Sequence, residues 1–100
     1  MQANVTVNEG NVVIRLQGRF DFNAHRDFRE AVDTALANPA TAIVVDFSGV
    51  EYLDSSALGM LLMLRDRAKG AAREVALTSC RGAVRQILDI ANFSKLFSID

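Results

Sequence analysis

The sequence predicts an α/β domain: a mixed four-stranded β-sheet with crossover α-helices, in the order ββαβαβα plus a short tail. Three observations lead there. Short β-branched runs alternate with longer segments whose apolar residues recur every three or four positions, so the hydrophobic period switches between 2 and 3.6 along the chain. Only turn residues separate the first two strands, which makes them a hairpin, whereas each later pair of strands is separated by one helix, which makes right-handed parallel crossovers. The run Ala42-Ile43-Val44-Val45-Asp46-Phe47 is apolar almost throughout, as a central strand covered on both faces would be.

Val5 and Val7 alternate with polar neighbours, Asn8-Glu9-Gly10-Asn11 supplies turn chemistry, and Val12 to Leu16 form the second strand. Gly18 interrupts that strand near its end, and Arg19-Phe20-Asp21 leaves the sheet with an acidic residue at the carboxyl end. Ala24, Phe28, Ala31, Val32, Ala35 and Leu36 then mark one stripe of a helix, with Asn23 as the expected N-cap. Asn38-Pro39 stops it, because a residue before proline is pushed out of the helical region. The third strand, Ala42 to Phe47, leads through Ser48 to Leu53 into a second helix that reaches about Lys69 and is ended by Gly70; Arg65, Arg67 and Lys69 suit its C-terminal dipole. A fourth strand covers Val75 to Ser79. From Gly82 a third helix buries Val84, Ile87, Leu88 and Ala91 and ends at Asn92. In the tail, Phe93, Leu96, Phe97 and Ile99 return a short helical turn and an extended end to the core.

One hundred residues suit one domain, 1–100, and a chain that is 50% hydrophobic and 23% charged can bury a core. The apolar runs fall far short of the ~20 residues that cross a bilayer, and the N-terminus lacks a basic start and an apolar signal core. A soluble, cytoplasmic protein without membrane insertion is expected. Cys80 is alone and so is His25, which leaves no internal disulfide and no zinc ligand set. With a net charge of -1 and scattered basic residues, there is no concentrated face for direct nucleic-acid binding. No cofactor motif is present.

The most informative stretch is Asp54-Ser55-Ser56-Ala57-Leu58-Gly59, at a strand-to-helix turn. Two adjacent hydroxyls there suit either a helix cap or a phosphate. Asp21, Asp46 and Asp54 are expected to gather with both serines along the carboxyl edge of the parallel strands, where open α/β sheets meet ligands and partners. Advancing about 100° per residue from Ala57, the core face of the following helix holds Ala57, Leu61, Leu64 and Ala68. Leu58 and Met60 fall at its margins, and Leu62 and Met63 on the other side. That extra apolar width means either a helix sandwiched between sheet and tail or a patch for a protein partner. Gly59 costs ~1 kcal/mol against alanine in a helix interior; it either admits a close partner surface or accommodates the loop carrying Asp21.

Catalysis is not expected. His25 is committed to no nucleophilic constellation, the serines lack the glycines of a nucleophile elbow, and no Gly-rich loop with its lysine accompanies Asp46 and Asp54.

Val44-Val45-Asp46-Phe47-Ser48-Gly49-Val50 followed by Leu53-Asp54-Ser55-Ser56-Ala57-Leu58-Gly59 resembles the signature of the STAS domain, in particular of stand-alone anti-sigma factor antagonists; Gly18-Arg19-Phe20-Asp21 resembles that family's second-strand exit. The likeness in element order and length spans nearly the whole chain, with one departure at Ala57, where the family usually has glycine. It implies a STAS-like fold and a partner switch. The unphosphorylated protein would bind an anti-sigma factor that is also its serine kinase, freeing a sigma factor, and a PP2C-type phosphatase would reset it. Motif position makes Ser56 the acceptor, with Ser55 as second choice, and the residues read alike: Ser55 is the better N-cap and Ser56 has its hydroxyl free. The partner is expected to meet Asp21, Asp54, Ser55, Ser56, Ala57, Leu58, Gly59, Leu62 and Met63. Two other readings stand beside this one: an accessory subunit of a membrane transport system that is never phosphorylated, and a nucleotide or small-ligand site at the carboxyl edge. Oligomeric state is left open.

Overall fold

The computed structural model describes residues 1–40 and 42–100. Strand β1 (Gln2–Asn8) pairs antiparallel with β2 (Asn11–Phe20), and Glu9 and Gly10 both take positive φ in the tight turn between them, as the right-handed twist of a hairpin requires. A single 3-10 turn, Phe22–Ala24, precedes α1 (His25–Ala37). There follow β3 (Ala42–Leu53), α2 (Ser55–Gly70), β4 (Glu74–Thr78), α3 (Gly82–Ile90), a second 3-10 turn at Phe93–Lys95 and β5 (Ser98–Ile99).

The strands lie side by side in sequence order, with every pair after the first hairpin parallel. The sheet therefore has five strands where four are expected. The extended tail pairs Ser98 with Ala76 and Ile99 with Leu77; two residues carry no readable period, so only the edge of β4 makes them a strand.

Each parallel step moves the same way across the sheet, so right-handed crossovers place all three helices on one face. Burial follows that division. Val12, Ile14, Leu16, Ile43, Val45, Phe47 and Leu77 face the helices and are buried, whereas Val13, Val44 and Ala76 on the opposite face are half-buried. The central strand is thus covered on one face and not on both. Its run reads as continuously apolar because Val13, Val44 and Ala76 stand in register as a strip across the open face. Under the helices the core centres on Phe20, whose ring lies 5.0 Å from that of Phe28 and 6.1 Å from that of Phe47, within the range of favourable aromatic pairs.

Strand β3 also runs past Phe47, where the sequence ends it, to Leu53. Its register against β2 slips between Arg15 and Gln17 and again between Gly18 and Arg19. At the slip the two backbones approach so closely that a Cβ on Gly49 would stand 2.8 Å from the Leu16 carbonyl oxygen, while Gly18 takes φ +104°. Glycine at both places lets the strands stay paired through the irregularity, which destroys the alternation that would mark them as strands.

Two helix boundaries differ from expectation. Asn23 does not cap α1: its own N–H is bound by Asp21 Oδ1 at 3.0 Å, which opens the 3-10 turn instead. Gly70 is the last residue of α2, and the left-handed residue beyond it is Ala72 (φ 58°). Asn38 stands extended before Pro39, as the sequence predicts.

Candidate functional site

The site follows from where β2 and β3 end. Phe20 and Leu53 are register partners, so Asp21 and Asp54 leave the sheet side by side, and the Asp54 N–H donates to the Phe20 carbonyl at 3.2 Å. Each aspartate is extended and each binds a backbone N–H ahead of it: Asp21 that of Asn23, and Asp54 that of Ala57, both at 3.0 Å. The same Asx chemistry thus starts both helical segments.

Asp54, and not Ser55, is therefore the N-cap of α2. Its carboxylate reaches the Ala57 amide and sets a negative charge against the positive end of the helix, which a serine in its place would not do. Ser55 becomes the first helical residue and Ser56 the second. Neither hydroxyl is a partner in the hydrogen bonds that close the turn, so capping no longer separates them. What does separate them is place: Ser55 is exposed and Ser56 is half-buried one residue further round the helix.

Asp46, expected at this edge, stands apart from it. Because β3 continues to Leu53, Asp46 sits in mid-strand on the open face, 3.4 Å from Arg15 Nε and 2.8 Å from the Ser48 N–H. Partial burial would raise its pKa, but the Ser48 N–H and hydroxyl and the Arg15 guanidinium outweigh it and hold the carboxyl below its ordinary 3.8.

Among the other residues expected to meet a partner, Ala57 is fully buried and turns its methyl to the core; only its neighbours reach the surface. Leu58 is half-buried, and a Cβ on Gly59 would meet nothing within 4 Å, so this glycine is not an accommodation to the Asp21 loop. Met60, expected at the margin of the core face, is buried inside it. Leu62 is 37% exposed, and Met63 is half-buried in a shallow groove against His25 and Arg29 of α1 and Arg67 of its own helix.

Two surface aromatics beside the turn are not singled out by sequence reasoning. Phe22 is 69% exposed on the Asp21-capped turn, its ring 6.2 Å from that of His25. Tyr52 lies under the Arg19 guanidinium at 4.1 Å, and Arg19 also bridges to Asp21 at 3.4 Å. The available signal was Phe22 itself, an aromatic between Asp21 and Asn23 that belongs to no helical stripe. The turn thus presents two carboxylates, two hydroxyls that make no hydrogen bond among the described residues, and an apolar margin of Phe22, Leu62 and Met63.

Among the described residues no three His, Cys, Asp or Glu side chains converge as metal ligands, and no helix is long and apolar enough to cross a membrane. Cys80 is buried, which pushes its thiol up to about 11 and keeps it protonated near neutrality.

Known proteins share this architecture. A family model described as the Mlab STAS domain matches residues 3–98. A STAS-domain-containing protein of Pseudomonas aeruginosa (strain UCBPP-PA14) is 51% identical over 88 residues, 88% of this chain and 86% of that one. An anti-sigma F factor antagonist of Paenibacillus polymyxa is 24% identical over 100 residues, covering 99% and 86%. The crystal structure of an anti-sigma factor antagonist from Mycobacterium paratuberculosis superposes with a TM-score of 0.87 at 21% identity, over 98% of this chain and 83% of that one.

Proposed function

Because the chain belongs to the STAS domain family, we propose that it is an anti-sigma factor antagonist whose binding is switched off by phosphorylation at Ser56. The observation that carries the reading is the hydroxyl of Ser56 at the second position of α2, two residues from the capping Asp54, which leaves the sheet beside Asp21. Motif position selects Ser56, and Ser55 is the second choice. Relatives named as anti-sigma factor antagonists support an anti-sigma factor as the partner class; that this partner is also the serine kinase, and that a PP2C-type phosphatase restores the hydroxyl, belong to the proposal. In this reading the chain acts by binding its partner.

The switch works through charge. A phosphoserine carries about -1.5 to -2 at pH 7. At the second position of a helix, the dipole and the backbone N–H groups favour that charge, so α2 stays folded. A partner pressed onto Phe22, Leu62 and Met63 meets it differently, because the new dianion stands with Asp54 and Asp21 under the contact. Burying such a charge unpaired costs several kcal/mol, and each ~1.4 kcal/mol is tenfold in affinity. Loss of binding therefore requires no refolding.

The test combines Phos-tag electrophoresis of the protein from its own cells with a pull-down using Ser56→Ala as bait. The expected result is a phosphoprotein band that disappears in Ser56→Ala and persists in Ser55→Ala, with the kinase-like partner held by the bait. Ser56→Asp should lose that partner while melting near the wild-type temperature. A band lost only in Ser55→Ala moves the acceptor by one residue. Absence of phosphoprotein under every growth condition, with a membrane transport component on the bait, overturns the switch in favour of a transporter accessory subunit.

A further inference from the structure

Five of the eleven basic side chains, Arg15, Arg19, Arg26, Arg67 and Arg85, pair with a carboxylate among the described residues. Of the six that do not, Arg65, Lys69 and Arg73 line one open groove of about 480 Å³. It lies where α2 passes over the edge of β4 and β5, beside the first residues of β3 and β4. That is the opposite pole of the sheet from Asp54 and Ser56.

Two of these cations are held in position. Arg65 Nε donates to the Leu96 carbonyl and Arg73 Nη1 to the Ala35 carbonyl, both at 3.1 Å, which leaves the remaining guanidinium N–H groups for another acceptor. The dipole of α2 does not account for the set. Only Lys69 stands in the last turn; Arg65 precedes it and Arg73 lies beyond the helix. The carbonyls of Arg67, Ala68 and Lys69 are also already bound by the Ala71, Ala72 and Arg73 N–H groups.

Three cations face a single acid on the rim, Glu74, which bridges to none of them among the described residues. The net excess of two positive charges matches a phosphomonoester dianion, and two arginine forks suit phosphate geometry. Below them the surface is apolar, with Leu96 38% exposed and Val75 half-buried. The volume is in the range of small-molecule sites.

We propose that this groove binds a small phosphate-bearing ligand, its phosphate among Arg65, Lys69 and Arg73 and its apolar or aromatic body over Val75 and Leu96. The site is independent of the serine turn, so its occupancy can be measured without the protein partner.

The experiment is an NMR amide titration of the full chain with adenosine monophosphate, inorganic phosphate and uncharged adenosine. Saturable shifts are expected at Arg65, Lys69, Arg73 and Ser98, stronger for the nucleotide than for inorganic phosphate, absent with adenosine, and weakened by salt. Lys69→Glu, at an exposed position in the last turn of α2, should weaken binding by about tenfold or more, its melting temperature lowered only by the loss of a favourable charge at the helix end and the cooperative fold retained, and Glu74→Gln should tighten it. No saturable shift in the groove at millimolar phosphate or nucleotide overturns the proposal, as does binding indifferent to Lys69→Glu or shifts centred on residues 54–57. Adenosine monophosphate no tighter than phosphate overturns the assignment of Val75 and Leu96 to the ligand body.

Discussion

Replacing Asp54 with alanine removes one hydrogen bond, from the Ala57 N–H to Oδ1 at 3.0 Å, and one negative charge from the start of α2. Loss of an N-cap costs ~0.5–2 kcal/mol, and loss of a favourable charge at a helix N-terminus a further ~0.3–1 kcal/mol. The Ala57 amide keeps a second acceptor, the Asp54 carbonyl at 3.1 Å, which places the hydrogen-bond share toward the low end. The expected sum is about 1–2 kcal/mol, and for a chain of this length each kcal/mol lowers Tm by roughly 4–8 °C. Ser55→Ala, at an exposed first helical position, should stay within about 0.5 kcal/mol, since alanine is the better helix former and no cap is lost. Thermal and urea denaturation followed by circular dichroism, on the wild type, Asp54→Ala, Asp54→Asn and Ser55→Ala, separates the contributions. Asparagine keeps the acceptor and drops the charge, so the step from Asp54→Asn to Asp54→Ala reads the hydrogen bond alone. If Ser55→Ala costs as much as Asp54→Ala, the serine is the cap after all, and only Ser56 retains a free hydroxyl.

The apolar margin of the turn gives a second measurement. Leu62→Arg, on a side chain already 37% exposed, should change stability by no more than about 0.5 kcal/mol while weakening capture of the partner. Met63→Glu should weaken capture as well, at a larger stability cost because Met63 is half-buried against α1; unfolding by Leu62→Arg would show instead that this face is core. Asp46 gives a pH signature. Its folded pKa lies below the ordinary 3.8, so its contribution is present above that value and is lost as pH falls through the folded pKa. Asparagine keeps an acceptor for the Ser48 N–H and loses only the charge facing the exposed Arg15, so Asp46→Asn should be less stable than wild type by no more than about 0.5 kcal/mol at pH 7, and urea titrations should converge as the pH drops below 3.8. A difference that persists in acid would place the effect in packing and not in charge.

The serine turn shows how far a sequence reading carries and where it stops. That Asp54, Ser55 and Ser56 open a helix at the end of a strand was legible, because the change of hydrophobic period on either side locates the junction. Which of them caps was not. Asp and Ser are nearly equal N-cap formers, and the choice rests on where Leu53 releases the chain, which is set by its pairing with Phe20. Met60 moved from the margin of the core face to its interior for a related reason: the width of the buried stripe depends on what covers it, and the helix wheel contains no neighbour. Phe22 escaped notice because a lone apolar residue in a turn has no period to betray it.

By itself the sequence determined the kinds of element, their order, the hairpin turn, the stop at Asn38-Pro39 and the family pattern around Ser56. Each of these is local, written in side-chain alternation, turn residues and short spacings. Tertiary structure alone decided the continuation of β3 to Leu53, the fifth strand, the open face of the sheet with Arg15 against Asp46, and the meeting of Arg65, Lys69 and Arg73 above Leu96. Those depend on partners far apart in the chain. A backbone slip absorbed at Gly18 and Gly49, or a two-residue strand held only by its neighbour's edge, leaves no periodic trace in the segment that adopts it.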